Sequence, residues 1–553
     1  MERNGGFGVI GISLAGLGAV VGVPMLFVFL QAIFPHLGEN SLREPFSAVW
    51  AAYADPRLPE LLANTVRLGL WVGAGCLIVA TPLAVLRALT DLPAKGLWDL
   101  LFLIPFMMPP YIGAFAWTMT LQPGGFMTQT FGAHAGGFLF SFWGIVTVMT
   151  LHLFPVVYFA VSRTLAAIGP RFIQAARTFG AGPLYAFWRI TLPLSLPGLA
   201  ASLLLVFAMS IEEYGTPATL GRQSQYLVLV TSIEERFAEW PIDLPGAAIL
   251  SINLVALALA AFFLQHWIVT RRSYVTISGK HGDAGVSALG VWRWPALALF
   301  GFVAALAVII PMAAVLATAF STTISGGLAW SNLGLRHFES VLSNRDGAMD
   351  ALLTSLWLAG GASLGAGLLG LLAAYVTVRT RGPGRRVVDA FSTLPNALPG
   401  MVIAIGLILA WNREWWPVQI YNTPLMLMLA YVCLLLPYPV RYAAAGLRQI
   451  SQSLEAAARV SGAGLAMTIR RIVLPMIAPH LAVAMLLVFA IASRELVASV
   501  MVAPPGLRTV STYVFNQFAQ GSAGEGMALS VIAIFSSTAI LVAMSRFQKR
   551  LEH

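Results

Sequence analysis

Charge is what this 553-residue chain has least of: Asp, Glu, Lys and Arg make up 10% of it, against 58% hydrophobic residues. Soluble globular proteins carry about 25% charged residues. The composition therefore excludes the string of water-soluble domains that length alone would favour. Cysteine is also scarce. Cys76 and Cys433 each sit inside a long apolar run without a CxxC partner, which reads as small apolar residues in packed helices rather than disulfide or metal chemistry. No Gly-x-x-x-x-Gly-Lys-[Ser/Thr] run occurs, so the chain cannot cradle nucleotide phosphates in that way. The eight histidines are scattered, and His152, His266 and His480 stand alone. No His/Glu cluster of the kind a membrane-embedded enzyme needs is present. Acidic residues are nearly missing from the apolar runs, with Asp99 close to the end of one. That weighs against a secondary transporter driven through mid-membrane carboxylates.

Long apolar sequence is abundant. A bilayer core of roughly 30 Å needs about 20 apolar residues per helix. Twelve stretches qualify, at approximately 8–33, 61–87, 98–121, 141–168, 192–212, 245–269, 294–319, 352–378, 388–411, 424–448, 474–493 and 525–545. Pro105, Pro109, Pro110, Pro155, Pro197, Pro437 and Pro439 fall inside them, which neighbouring helices can accommodate. The first run, about 25 residues, exceeds a signal-peptide core of about 7–15 and reads as a retained helix. The expected fold is an all-α polytopic membrane protein with about twelve transmembrane helices. Twelve spans place both termini on one side, and Lys and Arg say which. With the termini cytoplasmic, 23 of the 33 basic residues but only 7 of the 23 acidic ones fall inside. The overall charge of +10 is thus a topology signal and gives no support to nucleic-acid binding.

The chain also repeats itself. Gln174-Ala-Ala-Arg-Thr-Phe-Gly180-Ala181 leads to Ile190-Thr-Leu-Pro193, and Ala456-Ala-Ala-Arg-Val-Ser-Gly462-Ala463 leads to Ile472-Val-Leu-Pro475, with matched positions 282 residues apart. Pro155/Pro437, Pro197/Pro479, Phe207/Phe489 and Glu213/Glu495 keep the same register. Each copy lies between the fourth and fifth spans of a six-span half, so the halves form a parallel repeat rather than an inverted one. The expected organisation is a first half at 1–269 with its loop at about 170–192, a polar cytoplasmic linker at 270–293, and a second half at 294–553 with its loop at about 452–474. Each loop is too polar to span. Pro170 can open a short helix, Ala175 and Ala176 favour it, Gly180 bends the chain, and Phe187 and Ile190 add an apolar face. Two readings follow from the residues: a helix shaped to dock into a groove on a partner, or an amphipathic helix that only caps the bundle.

The repeated segments resemble the EAA loop of type I ABC-importer permeases, with its Glu-Ala-Ala, three residues, Gly and closing Ile-x-Leu-Pro. The resemblance covers both halves and implies the type I importer fold, with each loop forming a coupling helix that sits in a cleft of an ATP-hydrolysing subunit. On that reading Gln174, Ala175, Ala176, Gly180 and Ala181 couple one ATPase subunit, and Glu455, Ala456, Ala457, Gly462 and Ala463 the other. The motif's acid is Gln174 in one copy and Ala456 in the other, with Glu455 one place early. The resemblance further implies two ABC ATPase subunits that bind ATP and Mg, a soluble substrate-binding protein, a bacterial inner-membrane location, and no cofactor or enzyme activity in this chain.

Cargo is less legible. Glu213-Tyr-Gly-Thr-Pro-Ala-Thr-Leu-Gly221, Tyr274-Val-Thr-Ile-Ser-Gly-Lys280 and Arg494-Glu-Leu-Val-Ala-Ser, followed by Pro504-Pro-Gly-Leu-Arg-Thr509, resemble the fused permeases of ferric-iron importers. Relatives on the same plan carry 2-aminoethylphosphonate, thiamine, polyamines or phosphorylated sugars. Glu212 and Glu213 lie about 20 residues into the fifth span, roughly 30 Å at 1.5 Å per residue, and Arg494 and Glu495 take the same places in the second half. These four line a translocation path at its outer mouth, or they are helix-end charges meeting water or a docking protein. No metal cage is legible. Ferric iron, a hard cation, would want several oxygen ligands.

Overall fold

The structure, a computed structural model, describes residues 2–168, 178–182, 185, 187–271 and 288–552. The expected linker falls mostly on residues 272–287, outside that set. The described residues are mainly helices joined by turns and loops, with an isolated bridge from Ser321 to Leu333. Among the described residues, nine helices are long and apolar enough to cross a membrane, and up to eleven if two bent pairs each count as one span.

All twelve expected stretches are helical, but three are broken, each at proline. Lys95–Met107 meets Pro110–Phe131 at 95° and Pro424–Leu435 meets Pro437–Gln449 at 50°. The ninth stretch divides into Pro383–Thr393, a tight turn at Leu394–Ala397, and Gly400–Trp411. Proline lacks the amide hydrogen a helix needs, and its ring crowds the carbonyl four residues back. The same conflict is absorbed differently in four unbroken spans. A five-residue π turn precedes Pro24 (Gly18–Gly22), Pro193 (Phe187–Thr191), Pro311 (Ala305–Ile309) and Pro475 (Ile469–Val473). The wider turn gives the ring room without ending the helix.

The chain forms two compact units that cut across the order of the sequence. One comprises Met1–Asp55, Ile233–Val255 and Gly334–His553, the other Pro56–Ser232 and Ala256–Leu333. In the first, Gly8–Ile33 packs on Ala348–Arg379 and Gly400–Trp411. Gly406 permits the approach, because a Cβ there would stand 2.8 Å from the Pro24 carbonyl oxygen. Buried Arg413 fixes the end of this packing: Nη1 donates to Leu37 O at 2.6 Å, Nε donates to Leu409 O at 3.1 Å, and the guanidinium lies over Phe27. In the second unit, Gly290–Phe320 packs on Lys95–Met107 and Pro110–Leu121. There Phe300 stacks on Phe102 at 5.5 Å, and Gln129 Nε2 donates to Ile324 O at 2.7 Å. The first span of each sequence half therefore belongs to the unit built mainly from the other half.

The repeat has a second register. Pro109 and Pro399 each precede a helix with nearly the same backbone angles (φ −56°, ψ 136° and φ −58°, ψ 140°) and stand 290 residues apart, as do Pro93 and Pro383, and Asp99 and Asp389. The offset is 290 from the end of the second span to the third, and 282 from the fourth onward.

Candidate functional site

In the second loop, residues Gln452–Val460 form a helix that ends at Gly462, whose φ of +83° is a left-handed conformation open to glycine without a Cβ penalty. Ala463 N donates to Ala458 O at 2.9 Å and Ser461 N to Ala457 O at 3.0 Å, so the last carbonyls are satisfied by a Schellman-type turn. Gly180 in the first loop has φ +82°. The two glycines share both register and backbone conformation. Gln174, Ala175 and Ala176 lie outside the described residues, while Ala181 is half-buried next to Gly180.

Around these turns the loops expose apolar side chains: Phe179 is 90% exposed, and Tyr185 and Trp188 are also open, as are Leu454, Met467 and Val460, the last at 90%. Ala456 and Ala457 are exposed and Ala463 half-buried. Small residues leave room for close approach, and the large apolar ones supply area to bury, which is the composition of a surface that meets a partner. Glu455 does not share this face. It is 3% exposed, with Oε1 2.6 Å from Arg379 Nε and Oε2 accepting from Tyr375 Oη at 3.0 Å. A single step along a helix is about 100°, so the acid displaced by one place is turned from the outer face into the bundle.

The residues at the other end of the fifth span resolve into two kinds. Glu213 caps the short helical stretch that follows, both carboxylate oxygens lying 3.0 Å from Thr216 N. Glu495 does the same for Val497–Val502, accepting from Ala498 N at 2.9 Å and Ser499 N at 3.2 Å. Ser499 Oγ in turn donates to Glu495 O and pairs with Tyr431 Oη at 2.7 Å. Carboxylates at a helix start satisfy orphan amides. Glu212 and Arg494, which share a register position with opposite charge, are half-buried. Gly215 brings the first of these capped stretches close to Tyr111, since a Cβ on it would lie 2.8 Å from Tyr111 Cβ. Among the described residues, no three His, Cys, Asp or Glu side chains are grouped to hold a metal.

Neither Tyr375 nor Arg379 drew notice in the sequence, where an Arg at the end of an apolar run reads only as an inside charge. Comparison in the 290-residue register would have singled them out, because the corresponding residues are Val85 and Leu89.

A ferric transport system permease protein of Actinobacillus pleuropneumoniae is 29% identical over 451 residues, 80% of this chain and 64% of that protein. The match thus spans less than two thirds of that relative's length. An Fe(3+)-transport system permease protein of Haemophilus influenzae is 24% identical over 526 residues, 95% of this chain and 96% of its own. A 2-aminoethylphosphonate transport system permease protein of Salmonella typhimurium is 28% identical over 265 residues, 47% of this chain and 98% of its own. Residues 78–274 and 366–553 each match one family pattern; the first contains Gly180 and the Glu213 cap, the second Gly462 and the Glu495 cap. Matched twice and over most of its length, the chain belongs to the binding-protein-dependent transport system inner membrane component family.

Proposed function

We propose that this chain is the membrane permease of an ATP-driven importer. It takes a small solute from a soluble binding protein and passes it to the cytoplasm, with ferric iron as the cargo. The observation that carries the reading is the pair of loops, each with a left-handed glycine at one register position and exposed apolar residues around it. Two such surfaces would suit two ATPase subunits, one per loop, and on this reading those subunits bind ATP and Mg. The basic residues that gather on the loop side favour a cytoplasmic location for the loops and both termini.

Iron is favoured by the fused-length relatives named for ferric transport. The binding protein would supply the iron's oxygen ligands, and Glu212 would offer a transient carboxylate along the path. A phosphonate cargo is the second reading, favoured by the near-complete match to the Salmonella permease. The test is uptake into proteoliposomes holding the chain, its ATPase and a loaded binding protein. Ferric iron should accumulate only with ATP, and Glu212→Gln should lower the rate several-fold without loss of ATPase recruitment. ATP-dependent uptake of the phosphonate and not of iron would transfer the reading to the second cargo. A chain that recruits no ATPase would overturn both.

A further inference from the structure

Three polar groups meet at the base of the second loop helix. Arg379 is in the last turn of Ala348–Arg379, Tyr375 lies one turn before it, and Glu455 is in the first turn of Gln452–Val460. Arg379 is 7% and Glu455 3% exposed, so the ion pair at 2.6 Å is nearly dry. The guanidinium does more than pair. Its Nη2 donates to Leu447 O and Ile450 O, both at 2.9 Å, at the end of Pro437–Gln449 where the helix dipole favours a cation. One side chain thus joins three elements: the second span, the end of the fourth, and the loop helix. Beside it lies an apolar cluster that includes Leu371, Ala374, Ala443, Leu447, Val473 and Ile477.

In the first half the register positions of Tyr375, Arg379 and Glu455 are Val85, Leu89 and Ile173. All three polar members are replaced together by apolar residues, as expected if they act as one unit, since a lone buried charge is strongly unfavourable while a matched apolar set is not. The first half keeps a polar cluster elsewhere: Asp99 accepts from Arg87 Nη2 at 2.6 Å and from Tyr158 Oη at 2.7 Å. None of those three residues belongs to the loop.

We propose that Arg379, Glu455 and Tyr375 form an intramolecular latch that positions the second coupling helix against the second and fourth spans. Glu455 is a positioning residue, and partner contact is left to the exposed residues of the same helix. The step from helix position to transport rests on the reading of the loop as an ATPase dock; the latch itself does not.

The test has two parts. Amide hydrogen exchange on the full chain in nanodiscs, without partners, reads residues 452–460. Glu455→Gln, which keeps the side-chain shape, and Arg379→Leu should each speed exchange there about tenfold or more and leave Phe142–Ile168 unchanged. The triple variant Tyr375→Val, Arg379→Leu, Glu455→Ile should restore slow exchange. Wild-type exchange in both single variants, or a triple variant as fast as the singles, overturns the latch. In proteoliposomes the single variants should lose ATP-driven uptake about in proportion to their loss of protection, and the triple should recover it. If the wild-type chain recruits no ATPase, the functional reading fails while the exchange data still decide the latch.

Discussion

The loop-bearing ends of the two halves carry the same glycine turn but are held by different chemistry. In the second half a nearly dry ion pair reaches into the loop helix itself. In the first, the Arg87–Asp99–Tyr158 cluster ties the second, third and fourth spans, and its ion pair is 32% and 23% exposed. Burial decides what each cluster is worth. Charges that keep contact with water gain and lose little, whereas removing one member of a dry pair strands the other. What the described residues of both ends share is thus the left-handed glycine with exposed apolar side chains around it, and what differs is the polar cluster beside it. Within one fused chain, each end is free to diverge in this way because each is always paired with the same counterpart.

The largest effect tests that difference directly. Arg379→Leu should destabilise its end by about 3–5 kcal/mol, and Arg87→Leu the other by about 1 kcal/mol or less, measured as loss of thermal stability of the chain in detergent. Equal losses would mean that the two clusters do the same work, and the contrast drawn from burial would be wrong.

The glycine turns come next, and here the halves should behave alike. Valine at a left-handed position carries a Cβ clash of about 1–2 kcal/mol. Space is not the obstacle, since nothing lies within 4 Å of a Cβ at either glycine. Gly180→Val and Gly462→Val should each weaken ATPase recruitment by about tenfold, read by titrating the ATPase against nanodisc-bound chain. The latch sharpens the expectation. With its first turn fixed by Glu455, the second loop should keep its helix and lose only the turn, so amide exchange at 452–457 should stay slow in Gly462→Val. Fast exchange there would show that the turn, not the latch, holds the helix.

Much of this was legible in the amino-acid order, for identifiable reasons. The spans were, because 20 apolar residues have few other uses, and the glycine turns were, because two glycines recur in one register. That prolines interrupt many stretches is visible in the sequence, but not how each is absorbed: π turns in the first, fifth, seventh and eleventh, bends in the third and tenth, and a full break in the ninth. The packing of each first span into the unit of the opposite half was also hidden, since it depends on fits such as Gly406 against Pro24 that no local pattern encodes. Glu455 was grouped with the partner-facing residues because motif letters were matched without the 100° turn that one residue makes. Glu213 and Glu495 were visible as register-matched acids, but not their hydrogen bonds to the amides that follow, which depend on where the fifth span ends and the next helical stretch begins.

The glutamate caps give the smallest predicted effect and the closest comparison between halves. Removing a side-chain cap costs about 1 kcal/mol, so Glu213→Ala and Glu495→Ala should each speed amide exchange in the capped stretch about fivefold while leaving global stability almost unchanged. Glu→Gln at either site should do less, because an amide oxygen still accepts from the same backbone N–H. The halves should separate in one respect. Glu495 Oε2 accepts from Ser499 N, and Ser499 Oγ pairs with buried Tyr431 Oη, whereas the stretch after Glu213 is held closely against Tyr111 at Gly215. Tyr431→Phe should therefore add to the effect of Glu495→Ala by less than its own separate effect, as expected for members of one network. Full additivity would mean that the two bonds are independent, and that the second half's capped helix is held at separate points instead of through a connected chain.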